Sequence, residues 1–150
     1  MRSIRVALGV VLTLGALSLA GCAASPDMGD LAAHLEEVDG VNAVSADVGH
    51  PGAPWNTEVV VRLFVDDPSD AEFTSVIRGA IPALADDPTT ARHGATVMFI
   101  DGVPGDYANS GQELRGKVRP GMKVYDELGL DFGESMRLSP EDIARLAEGS

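Results

Sequence analysis

Cysteine is almost missing from this chain: Cys22 is the only one in 150 residues. A disulfide within the chain and a thiolate metal centre are therefore excluded, and stability has to come from apolar burial. Positive charge is scarce too, with 11 Lys and Arg against 23 Asp and Glu and a net charge of −12. A balance so acidic disfavours nucleic acid and anionic lipid headgroups as partners. Histidine is limited to His34, His50 and His93, whose spacing suggests no shared site. A zinc centre would have to gather all three with one acid. Aromatic residues make up 5%, with Trp55 the single tryptophan. Repeats and low-complexity tracts are absent. So are two catalytic templates: there is no Gly-x-Ser-x-Gly elbow, and Gly102 to Gly105 fits neither glycine-rich phosphate loop.

What the chain does have begins at its N-terminus. Arg2 and Arg5 are followed by an uncharged stretch from Val6 to Ala20, which ends in Leu19, Ala20, Gly21 and Cys22. A basic start, a short apolar core and small residues before a cut are the marks of an export signal. Fifteen helical residues reach about 22 Å, short of the ~30 Å hydrocarbon core, so the stretch is too short for an ordinary spanning helix.

Leu19-Ala20-Gly21-Cys22 resembles the lipobox of bacterial lipoproteins. The resemblance implies that residues 1–21 are a signal peptide removed before Cys22, and that the Cys22 thiol carries a diacylglyceryl group. The expected product is an extracytoplasmic protein anchored to the cell membrane by lipid, with residues 22–29 as a short linker and residues 30–150 as one α+β domain. Loss of Arg2 and Arg5 takes the net charge from −12 to −14, which favours a body held off the lipid surface. The excess of Arg over Lys, with abundant Ala, Gly and Asp, is the composition expected of a GC-rich bacterium such as an actinobacterium.

Beyond the linker, the spacing predicts a helix over Asp30 to Val38, with Leu31, His34, Leu35 and Val38 on its inner face and Gly40 as its stop. Val44, Ala46 and Val48 alternate with polar neighbours, as in a half-buried strand. A turn-rich loop from His50 to Asn56 follows. In Thr57 to Val65, Val59, Val61, Leu63 and Val65 fall on one face and Val60, Arg62 and Phe64 on the other. Ser69 and Glu72 form a capping box ahead of the stripe Phe73, Val76, Ile77, Ala80, Ile81 and Leu84. Pro82 is expected to kink or end that helix. Ala95 to Ile100 is an uncharged, largely apolar run of strand length. Leu114, Gly116 and Val118 suggest an edge strand, Met122 to Leu128 a short helix stopped by Gly129, and Ser139-Pro140-Glu141-Asp142 the start of a last helix.

The predicted class is α+β: an α-β-β-α-β core, a three- or four-stranded mixed sheet with helices on one face, and extra C-terminal helices. Over about Asp30 to Ile100 this order resembles the BON-type domain, or a ferredoxin-like fold without its first strand. Element order brings no function with it.

Three groups are candidates for function. Arg115, Lys117, Arg119 and Lys123 hold four of the nine positive charges left after processing, and suit either an envelope protein or an anionic wall component, or else a charged sheet edge. Trp55 is a contact residue if its indole is exposed. Asp66, Asp67, Asp70 and Glu72 suit either calcium or the dipole of the helix they precede. No cofactor is expected. The expected role is non-catalytic binding in the cell envelope. The alternative is an envelope hydrolase or a small-ligand or metal-binding protein.

Overall fold

β-branched residues and strict alternation determine the central strand. In the computed structural model, which describes residues 26–149, strand β2 runs over Glu58–Val65. The expected leader at 1–21, Cys22 and the first part of the linker lie outside the described residues. The pleat of β2 turns Val59, Val61, Leu63 and Val65 to one face, where all four are buried.

Strand β1 (Ala43–Gly49) lies antiparallel to β2, with Ala43 opposite Phe64 and Gly49 opposite Glu58. Strand β3 (Ala95–Asp101) lies parallel to β2, so the chain must cross from one end of the sheet to the other between them. Helices α2 (Asp70–Asp86) and α3 (Pro88–His93) make that crossing. The far edge of β3 is shared by two short antiparallel strands: β4 (Lys117–Val118) beside Phe99 and Ile100, and β5 (Met136–Leu138) beside Ala95 to Val97. The α+β class and the α-β-β-α-β core are as expected, and β5 brings the mixed sheet to five strands.

Helix α1 (Gly29–Glu36), α2, α5 (Met122–Leu128) and α6 (Pro140–Glu148) cover a single face of the sheet, and α4 (Ser110–Glu113) is a single turn ahead of β4. Their apolar side chains pack on Val59, Val61, Leu63, Val65, Ala95, Val97 and Phe99. The rings of Phe73 and Phe99 meet edge to face at 4.8 Å. Met28 is also buried, at 5% exposure, so the folded body begins earlier than residue 30 and the linker is correspondingly shorter.

The capping box at α2 is formed as expected, with the Glu72 carboxylate accepting from Ser69 N–H at 2.6 Å and Ser69 Oγ accepting from Glu72 N–H at 3.4 Å. Pro82 does not end the helix, which continues to Asp86. Pro82 and Arg78 are both exposed, so the carbonyl left without its helical donor is on the wet side, while Ile81 and Leu84 keep the next turn buried. At the end of α2, Pro88 cannot donate to the Leu84 carbonyl. The buried Thr90 hydroxyl donates to it instead.

Two other local expectations are corrected. His34 is exposed: α1 is only eight residues long and is anchored by Leu31 and Leu35 alone, leaving His34 at its margin. Residues 114–116 form a 3-10 turn, and only Lys117 and Val118 join the sheet. Gly116 packs directly against the Tyr107 hydroxyl, which leaves no room for a side chain there. Tyr107 donates to the Asp101 carbonyl and lies 6.5 Å from the Phe64 ring, covering that corner of the second sheet face.

Candidate functional site

The directions of the elements define two ends of the body. α2 starts just after β2 finishes, and α1 finishes just before β1 starts opposite Phe64. The start of α1, the end of α2, all of α3, the start of β3 and the loop between β1 and β2 therefore share the other end.

That loop, residues 50–57, is a built structure. Gly52 takes a positive φ of 80°, a conformation open to glycine. The Asn56 side-chain amide donates to the Pro51 carbonyl at 2.8 Å, and Asn56 N–H donates to the Ala53 carbonyl at 3.0 Å. Pro51 and Pro54 stiffen the same few residues. The closed loop presents Trp55 outward at 85% exposure, which resolves its two sequence readings in favour of the exposed indole. A shallow groove of about 580 Å³ runs beside the loop, with His93, Glu58 and Arg137 along it. Arg92 and His93 are in the last turn of the neighbouring α3. Neither Arg92 nor Arg137 makes an ion pair among the described residues. Arg137 belongs to β5, and a three-residue strand leaves too little alternation to be read in advance.

The basic stretch is divided among separate internal partners. Lys117 donates to Ser135 Oγ at 2.8 Å, and burial, followed by the nearby Arg119, holds its pKa below the ordinary lysine value against the pull of Glu134. Arg119 pairs with Glu134 at 3.0 Å, and Lys123 lies 3.6 Å from Glu127 one helical turn on. Lys117 and Arg119 thus tie the 133–135 segment to β4. Arg115 is exposed and makes no ion pair among the described residues. Three of the four cations thus have a partner within the protein, and Arg119 and Lys123 remain exposed beside theirs.

The acidic group is likewise engaged in holding the chain. Asp66 accepts from the Asn42 side chain at 2.9 Å, and Asp70 accepts from Gly121 N–H at 2.8 Å. Glu72 serves the helix cap, and hydrogen bonds from Ser69 lower its pKa. Asp66 and Asp70 thus fasten two other segments, while Asp67 is held through its backbone N–H, which donates to the Asp101 carboxylate at 3.2 Å. Among the described residues no group of three or more His, Cys, Asp or Glu is placed to hold a metal ion.

His50 and His93 make no hydrogen bond to a carboxylate among the described residues. Glu58, across the groove from His93, accepts from Thr96 Oγ1 at 3.1 Å. On the open sheet face Arg62 pairs with Asp47, and its buried Nε has no partner among the described residues. A second groove of about 770 Å³ lies between this face and the loop from Gly129 to Ser135. There the exposed Phe132 meets Tyr125 edge to face at 5.1 Å, and burial raises the Tyr125 pKa above its ordinary value. No helix among the described residues is long and apolar enough to cross a membrane.

No protein-family model, no curated protein and no solved structure matches the chain.

Proposed function

We propose that this protein is an extracytoplasmic lipoprotein, anchored through lipid on Cys22 and serving a non-catalytic binding role at the cell envelope. The observation that carries this reading is the short distance between Cys22 and the core: Met28, six residues later, is already buried. Six residues span at most about 20 Å. A lipid on Cys22 would therefore hold the folded body itself at the surface, with little free chain between. The basic and apolar leader and the small residues Ala20 and Gly21 ahead of Cys22 support the processing step. Two or more acyl chains give a stable anchor, since each buried CH₂ contributes ~0.8 kcal/mol. The binding role rests on Trp55, a large apolar side chain presented to solvent by a closed, proline-stiffened loop.

Mass spectrometry of the membrane-extracted protein tests the anchor. The expected result is an N-terminal peptide beginning at Cys22 with a diacylglyceryl adduct, and a Cys22→Ser chain that loses the adduct and the processing. A Cys22→Ser chain that is cut and retained by membranes like the parent would overturn the reading. For the binding role, Trp55→Ala should deplete the envelope components, membrane lipid included, that crosslink to the lipoprotein in membranes. An unchanged crosslinking pattern would remove Trp55 from that role.

A further inference from the structure

The closed loop around Trp55 and the point where the chain enters the core, at Met28, both lie at one end of the body. The tether enters the core at Met28, where α1 starts, against Asp86 and Asp87 at the end of α2 and Pro88 at the start of α3. α3 is six residues long, about 9 Å. Its other end, at His93 and Gly94, borders the groove that Pro51 and Asn56 line. The loop and the entry of the chain at Met28 thus border the two ends of one short helix, each across a groove, while the six residues back to Cys22 reach at most about 20 Å.

From these placements we propose that the 50–57 loop is a second membrane contact, in which the Trp55 indole sits in the headgroup region and fixes which end of the body faces the lipid. The occupant is the lipid surface, and the inference rests on the lipid anchor at Cys22. An indole combines a broad apolar ring with one N–H donor, which suits the boundary between hydrocarbon and water. Residues 50–57 contain no acid, so entering the interface buries no carboxylate. The charges around the loop are of both signs. Arg92 and Arg137 stand there with Glu58, which is held by Thr96, and with Glu141 at the start of α6, while Asp27, Asp30, Asp86 and Asp87 lie on the α1 side of α3. The other large apolar side chains that are exposed do not compete. Val103 and Leu114 follow the opposite end of β2 and β3, Met122 starts α5 beside Asp70, and Phe132 packs on Tyr125.

Trp55 is the only tryptophan, so its emission reports on this loop alone. The native lipoprotein, with its Cys22 adduct verified by mass, would be reconstituted into vesicles of phosphatidylcholine with a minor share of phosphatidylglycerol, with and without bromine on the upper acyl chain. The expected result is a blue-shifted emission and loss of roughly half of it or more in the brominated vesicles, as an indole at the interface requires. A lipidated protein whose emission stays red and unquenched overturns the loop contact while leaving the anchor intact, and assigns Trp55 to a protein partner instead. A native protein that carries no lipid overturns the anchor and this inference together. Trp55→Phe removes the signal without a large loss of apolar surface, and its unchanged far-ultraviolet dichroism would show that the loop change leaves the fold alone.

Discussion

Replacing Thr90 by Val tests how the crossover between β2 and β3 is held. Thr90 is fully buried, and its hydroxyl donates to the Leu84 carbonyl, which Pro88 leaves without a helical donor. Valine keeps the shape and deletes the hydroxyl. A buried carbonyl stranded in this way costs about 1–3 kcal/mol. The added methyl returns up to about 0.8 kcal/mol of apolar burial, so from the middle of that range, about 2 kcal/mol, a net loss of about 1.2 kcal/mol remains. In a domain of this size, between the ranges where one kcal/mol moves Tm by 4–8 °C and by 2–4 °C, the expected drop is about 3–10 °C. Thr90→Ser is the control: it keeps the donor and loses one methyl, about 0.8 kcal/mol. Thermal and urea unfolding followed by circular dichroism should rank the parent first, Ser next and Val last. A Val variant as stable as the Ser variant would refute the assignment, and would mean that water or a small shift of α3 satisfies Leu84.

Gly94 has a φ of 77°, and a Cβ there would run into the Leu138 carbonyl. Gly94→Ala should cost about 2 kcal/mol or more and be visible as a lower urea midpoint, while Gly49→Ala, which meets nothing within 4 Å, should have little effect. Burial opposes ionisation of Asp142, but hydrogen bonds from Ser139 and from Arg145 outweigh it and hold the pKa below the ordinary 3.8. The ionised form therefore stabilises the fold above that value, and the contribution is lost as pH falls through the depressed folded pKa. The Tm gap between the parent and Asp142→Asn should be full near neutrality and shrink below about pH 4; a gap independent of pH would contradict the assignment. Lys123→Ala removes an exposed pair with Glu127 and should change stability by less than about 1 kcal/mol in the same assay.

Elements with two concordant local signals were legible in the sequence. α2 has a capping box and a six-residue stripe, and every residue of the stripe is buried. The strong stripe also carries the helix past Pro82, against the local rule. α1 has fewer anchors, and there the 3.6-residue period placed His34 inward when it lies at the margin. β5 is three residues long and exists because the lower half of β3 has a free edge, a tertiary circumstance without a local signature. The alternation at 114–118 was real, but Gly116 is needed to pass under Tyr107, so most of the stretch turns instead of pairing. The basic stretch looked like one site because its members are close in sequence. Ser135 and Glu134, the partners of Lys117 and Arg119, come from a later segment, whereas Glu127 is on the same helix as Lys123. The loop at 50–57 was evident from its Pro and Gly, whereas the direction of the indole depends on the clamp from Asn56 to Pro51.

An acidic body and a membrane-touching loop are compatible because of distance and screening. α2 has 17 residues and spans about 25 Å, so Asp66, Asp67, Asp70 and Glu72 at its start stand roughly that far from the loop end. At 0.15 M salt the Debye length is about 8 Å, which places those acids some three screening lengths from lipid that Trp55 touches. The acids near the tether, Asp27, Asp30, Asp86 and Asp87, remain within reach, on the α1 side of α3 and away from the loop. Resting upright on the loop corner, the body would hold Asp27 and Asp30 no farther from the surface than the reach of the chain back to Cys22, about 20 Å. At 0.01 M salt the Debye length rises to about 30 Å and the distant acids come into play. Quenching of Trp55 by brominated lipid should then fall on vesicles containing phosphatidylglycerol and stay constant on phosphatidylcholine alone. Equal loss on both vesicles would mean that salt acts on the loop itself, and stronger quenching at low salt on the anionic vesicles would mean that Arg92 and Arg137 dominate the approach and the upright posture is wrong.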